Sequence, residues 1–156
     1  MPTTIADRLS ELGIVLPEAA APAANYVPYL NYNGMLHISG QLPMQDGKIA
    51  FTGTLGAGVE TAEGQEAARL CAINILAQAK AALGDLENIA QVIRLNGFVN
   101  SAEDFGDHPA VINGASNLIA DVLGDRGKHT RVAVGVANLP FGAAVEIDAI
   151  IATKNG

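Results

Sequence analysis

Two residues have the type and position to do chemistry. Arg131 opens a run of small and β-branched residues just after a polar loop, and Glu146 lies in the strand-like stretch Val145-Glu146-Ile147-Asp148-Ala149-Ile150. A guanidinium is a planar fork of fixed charge that grips a carboxylate through two parallel hydrogen bonds. At a sheet rim, Arg131 is a candidate anchor for an organic acid, and equally a candidate for a surface ion pair. Alternation places Glu146 and Asp148 on the face opposite Val145 and Ile147. Covered, such a carboxylate needs a partner and can orient water or hold a protonated nitrogen; solvated, it is merely hydrophilic.

Other reactive residue types lack the patterns that chemistry requires. His37, His108 and His129 do not fall at metal-ligand spacing with Cys71, and no His-Glu-x-x-His helix is present, so no metal is expected. Ser39 lacks a Gly-x-Ser-x-Gly elbow. Cys71 sits in an Ala-rich helical stretch as a small apolar filler. Gly53, Gly56 and Gly58 precede a helix but not in a dinucleotide-binding order, and no Lys-Ser/Thr pair follows. Tyr26, Tyr29 and Tyr32 lack the neighbouring cations of a base-stacking platform.

The elements that must hold these residues are legible from local signals. Thr4 to Leu12 reads as a short peripheral helix with a Thr4–Asp7 cap. Pro17 to Ala24 reads as an extended connector, and the compact domain begins near Tyr26. This divides the chain into an N-terminal helix and connector, 1–25, and a single domain, 26–156. Asn33-Gly34 supplies a tight hairpin turn between two strands within Tyr26–Ser39. Glu60 to Leu83 is the longest helix, closed by Gly84. Val92 to Val99 is a strand, and Asp107 and Pro109 open a second helix with an apolar stripe from Val111 to Val122. Val132–Ala137 and Val145–Ala152 are strands around a turn at Asn138–Gly142.

Two helices can cover one face of such a sheet. Along the strand after Arg131, Val132, Val134 and Val136 take one side and Ala133, Gly135 and Ala137 the other. The small side is expected to meet another copy of the chain, which makes a homo-oligomer.

At 156 residues the chain is one ordinary domain, with 49% hydrophobic residues and a net charge of −7. That field repels phosphate backbones and anionic membranes. No apolar run spans a bilayer, and the opening residues lack a basic region and apolar core, so a soluble cytoplasmic protein is expected.

Three stretches together resemble the RidA/YjgF family of reactive-intermediate deaminases, also labelled the L-PSP endoribonuclease family. They are Ile38-Ser39-Gly40-Gln41-Leu42-Pro43, Phe105 to Asn113, and Arg131 through Leu139-Pro140 to Val145–Ile150. The resemblance spans about Tyr26 to Ala152. It implies an α+β, chorismate-mutase-like fold: a mostly antiparallel sheet with two helices on one face, assembled as a homotrimer through the other. It implies ligand pockets between subunits, in which Arg131 and Glu146 are catalytic and Tyr26, Ser39, Gly40, Asn113 and Ala133 line the substrate site. The implied reaction is hydrolysis of a 2-enamine or 2-imino acid to the 2-keto acid and ammonia, with no cofactor. The alternatives are a non-catalytic trimeric protein that binds a small carboxylate and, last, an endoribonuclease, which the acidic composition disfavours. Many family members have cysteine where this chain has Ala133, which excludes a thiol-dependent role there. The N-terminal helix and an insertion before Glu60 mark a divergent, longer member.

Overall fold

The computed structural model describes residues 3–22 and 24–154. The N-terminal helix α1 (Ile5–Glu11) starts where the sequence places it: Thr4 Oγ1 accepts from the Asp7 N–H, and the Asp7 carboxylate accepts from the Thr4 N–H. It is less peripheral than expected. Ile5 is 2% exposed within the main core, and its N–H donates to Glu87 Oε1 at 2.8 Å. The connector that follows has no regular secondary structure; Ala23 lies outside the described residues.

Asn33 and Gly34, at φ 52° and 76°, turn strand β1 (Tyr29–Tyr32) into β2 (Met35–Gln41). Positive φ at both positions is what a type I′ turn demands, and Asn-Gly meets it at low steric cost. The glycine-bearing stretch after β2 makes two small ladders, β3 (Met44–Gln45) with β4 (Lys48–Ile49) and β5 (Thr54–Leu55) with β6 (Gly58–Val59). Helix α2 (Thr61–Leu83) ends at Gly84, φ 77°, as the sequence predicts. Strand β7 (Ile89–Asn100) runs longer than its apolar pattern, and helix α3 (His108–Leu123) buries its expected stripe. Strands β8 (Thr130–Val136) and β9 (Val145–Thr153) complete the chain's regular structure.

The main sheet has the order β1-β2-β9-β7-β8, with only the β7–β8 pair parallel. That pair is joined by α3, as parallel neighbours need a crossover. Both long helices lie on one face. Leu36 and Ile38 of β2, Leu95 and Val99 of β7, and Val145, Ile147 and Ile151 of β9 are buried there with Ala67, Ala72, Ile112 and Ile119 of the helices. Each large aliphatic side chain so covered contributes roughly 1.5–3 kcal/mol. The helices touch closely at Gly114, where a Cβ would collide with the Gln65 carbonyl oxygen.

The facing of β8 corrects the sequence reading. Ala133 and Gly135 turn toward the helical layer, not toward another copy: Ala133 packs on the core, and a Cβ at Gly135 would lie 2.5 Å from both His108 Nε2 and Ser101 Oγ. Val132 and Val134 are the outward residues, 37% and 43% exposed. The side is small because α3 and its preceding loop approach the strand closely there. Alternation separates two faces but does not say which one the helices take. The smallness of that side therefore does not point to another copy of the chain. The open face still offers apolar area at Leu30, Val132 and Val134.

Candidate functional site

Arg131 is held at the edge of the sheet, on the helical side. Its Nη1 donates to Ser116 Oγ at 3.1 Å and its Nη2 to the Pro109 carbonyl at 3.3 Å. The Ser116 hydroxyl also meets His129 Nε2 at 2.9 Å, and His129 Nδ1 meets the Gly127 carbonyl at 2.6 Å. A carbonyl only accepts, so Nδ1 carries the proton. In the neutral ring Nε2 then accepts from the Ser116 O–H, leaving Oγ lone pairs for the guanidinium. The chain Arg131–Ser116–His129–Gly127 fixes the direction of the fork. No carboxylate among the described residues lies within ion-pair distance of Arg131, so the surface ion pair that the sequence left open is not formed.

Asn113 lies between Pro109 and Ser116 on the same face of α3, by its spacing, and is exposed. Ala133 follows Arg131 by two residues and shares its side of β8. Arg131, Asn113 and Ala133 therefore belong to one edge of the molecule. Ser101 and His108 continue that edge, hydrogen-bonded to one another at 3.1 Å beside an open cavity floored by Gly135.

Tyr26, Ser39 and Gly40 gather elsewhere. The Ser39 N–H donates to the Pro28 carbonyl and its Oγ to the Val27 carbonyl at 2.8 Å, which ties the stretch after Tyr26 alongside β2. All three residues line a cavity of about 320 Å³. The β2–β9 register slips between Ile38 and Gln41, and the irregularity brings Gly40 against Glu146. A Cβ on Gly40 would lie 2.8 Å from Glu146 Oε1, so only glycine leaves that carboxylate its place. Burial pushes the Glu146 carboxyl above its usual range, and the nearby Asp148 charge pushes it the same way. Asp148 itself accepts from Asn96 Nδ2 at 2.6 Å, and Asn96 Oδ1 accepts from Arg94 Nε at 2.8 Å.

The structure thus groups the predicted residues into two sets on opposite faces of one chain. Phe98 pairs with Glu146 on one side and with Val134 on the other, so β9 and β8 are two strand spacings apart, roughly 10 Å. Arg131 faces the helices and Glu146 faces the open side, which means a single chain does not bring them together. Sequence reasoning missed Ser116 and His129. Neither carries a motif, and their link to Arg131 appears only once β8 is laid against α3. Cys71 is fully buried with its thiol pushed well above the usual range by burial, so it is the filler expected. Among the described residues no cluster of histidine, cysteine and carboxylates has the makings of a metal site, and no helix is long and apolar enough to cross a membrane.

Comparison with known proteins agrees with this architecture. Residues 6–148 match the family model described as "YjgF/chorismate mutase-like, putative endoribonuclease". Protein TCP17 of Trypanosoma cruzi is 53% identical over 152 residues, covering 97% of this chain and 95% of that protein. The crystal structure of Atu1372 from Agrobacterium tumefaciens is 58% identical, covers 96% of this chain and 92% of that one, and superposes with a TM-score of 0.91. That of Escherichia coli TdcF with bound serine is 26% identical, covers 88% and 94%, and gives a TM-score of 0.64. Since the matches run nearly from end to end and carry the same sheet and helices, the chain belongs to the RidA/YjgF family.

Proposed function

We propose that the protein hydrolyses 2-enamine and 2-imino acids to 2-keto acids and ammonia, in pockets shared between the subunits of a cytoplasmic homotrimer. The observation that carries this reading is Arg131: a half-buried guanidinium, oriented by Ser116 and the Pro109 carbonyl, with no carboxylate among the described residues paired to it. A fixed fork in that condition favours an external carboxylate. The serine bound to TdcF is a ligand of that chemical class.

The reaction needs Arg131 beside Glu146, and one chain keeps them apart. A neighbouring chain docked on the open face, where Leu30, Val132 and Val134 are exposed, supplies what is missing. The β8–α3 edge of one subunit then meets the Gly40–Glu146 region of the next. Arg131 holds the substrate carboxylate and Asn113 and Ala133 flank it. Glu146 takes a proton from water as oxygen attacks the imine carbon, then returns it to nitrogen, which leaves a carbon bearing both hydroxyl and amino groups. Glu146 next takes the hydroxyl proton and passes it to the amino nitrogen as the carbon–nitrogen bond breaks, so that ammonia leaves and the keto acid remains. The raised affinity of Glu146 for a proton moves it toward working pH, as a general base and acid requires. An enamine first accepts a proton at its terminal carbon and gives one up from nitrogen to become the imine. Positioning supplies most of the acceleration, because an imine is already electrophilic.

The test generates 2-aminoacrylate with a dehydratase and follows its decay with wild type and with Arg131→Ala. Faster decay with wild type alone supports the reaction; equal decay in both defeats it. Ala133, which offers no thiol, favours the second reading, a carboxylate-binding protein without chemistry. That reading holds if wild type is inert yet binds a keto acid through Arg131. RNA cleavage has no support in the charge distribution, since Glu146 and Asp148 occupy the open face and the chain carries 9 cations against 16 acids.

A further inference from the structure

The cavity beside Tyr26, Ser39 and Gly40 is closed on one side by the N-terminal connector. Ala20, Ala21 and Pro22 line it together with Leu42, Met44 and Ile49. The connector is fastened there: Gln78 of α2, 1% exposed, donates from Nε2 to the Ala20 carbonyl at 2.8 Å, and Ile14 upstream is buried in the core. Phe141, in a left-handed conformation at φ 58°, joins the lining. No charged side chain among the described residues lines the cavity. Its buried amide is already committed, since Gln41 Nε2 donates to the Ser39 carbonyl at 2.9 Å.

We infer that this cavity receives the substrate's side chain, and that the preferred substrates are 2-imino acids bearing a branched aliphatic or aromatic group. The inference rests on the location of the reaction given above. With the carboxylate drawn out to Arg131 of a neighbouring subunit and the reacting carbon beside Glu146, the side chain is the part left to enter. At about 30 Å³ per water, a volume of about 320 Å³ equals roughly ten waters. A methyl group leaves most of that space to water against apolar walls, whereas an isobutyl or benzyl group occupies several times more of it. Each methylene that an apolar pocket accepts or rejects changes kcat/KM by about tenfold or more. The connector is thereby a specificity element.

The experiment compares imines made in situ by an amino-acid oxidase from 2-aminobutanoate, leucine and phenylalanine. In parallel, calorimetry measures binding of 2-oxobutanoate, 4-methyl-2-oxopentanoate and phenylpyruvate. Three proteins are used: wild type, Ala21→Leu, which fills the cavity from an exposed position, and Val15→Ser, at a residue 91% exposed and outside the cavity. Thermal melts check folding. The expected result is a preference of about tenfold or more for the larger ligands, a loss of about that preference in Ala21→Leu, and none in Val15→Ser. A wild type that turns over all imines alike, or an Ala21→Leu ratio equal to wild type, overturns the inference while leaving the reaction standing. Side-chain preference in keto-acid binding without any turnover overturns the reaction, and the claim of preferred substrates with it, while upholding the cavity as the side-chain site. Absence of both turnover and binding overturns both.

Discussion

Replacing Gly40 by alanine puts a single methyl group against the Glu146 carboxylate. The new Cβ lies 2.8 Å from Oε1 and 2.9 Å from the carboxyl carbon, against the 3.4 Å at which ordinary contact begins. Gly40 is not in the left-handed region, so its backbone accepts alanine, and the colliding atoms are the far end of a flexible side chain. Folding is therefore preserved, with stability changed by about 1 kcal/mol or less. The carboxylate must move by a good part of an ångström, and a misplacement of about 1 Å can cost as much as 10²-fold in rate. The expected outcome is a loss of about 10- to 100-fold in kcat/KM for imine hydrolysis with an unchanged melting temperature. Keto-acid affinity should fall less, because Arg131 is untouched. The assay pairs imine-decay kinetics with a thermal melt. Wild-type kcat/KM in a folded Gly40→Ala protein would refute the placement of Glu146 at the reacting centre.

Further predictions concern the groups around the site and the N-terminal helix. His129→Ala removes the acceptor that orients Ser116, and weakens keto-acid binding by about five- to tenfold, about 1 kcal/mol, while leaving the fold intact. Calorimetry checks it, and unchanged affinity counts against the network. Glu87 accepts from the Ile5 N–H and pairs with Arg126, and these partners hold its carboxyl below the usual range. Its stabilisation is present above the ordinary value of 4.5 and is lost as pH falls. Glu87→Gln should therefore cost about 1 kcal/mol at neutral pH, with the gap to wild type closing in acid, as denaturant melts at several pH values will show. Glu146 has the opposite sign: its raised carboxyl favours folding at low pH, and that contribution disappears as pH rises past 4.5. Glu146→Gln should gain stability relative to wild type above that range while losing activity. Cys71 should resist thiol reagents until the protein is unfolded, since it is fully buried.

Local signals in the sequence carried the elements, and long-range contacts decided the site. Asn33-Gly34 specifies its hairpin and Thr4 with Asp7 its cap because those interactions join residues close in the chain. The apolar stripe of α3 likewise names its own buried face. Strand β8 was misread because Val132/Val134 and Ala133/Gly135 are both admissible inner faces, and only the approach of Ser101 and His108 to Gly135 decides between them. Arg131 and Glu146 stood out by type and position. That they face opposite ways follows from the register in which Phe98 pairs with both Glu146 and Val134, which no spacing between residues 131 and 146 reveals. The partners of Arg131, Ser116 and His129, were hidden for the same reason.

The claim that one subunit's guanidinium works with another's carboxylate is tested most directly by mixing two inactive variants. Arg131→Ala and Glu146→Gln are prepared separately, then unfolded and refolded together in equal amounts, and imine hydrolysis is measured. In a random closed ring, about one interface in four pairs an intact Arg131 with an intact Glu146. The account predicts that each variant alone is inactive and that the mixture recovers about a quarter of wild-type activity. A mixture as inactive as its components would contradict it.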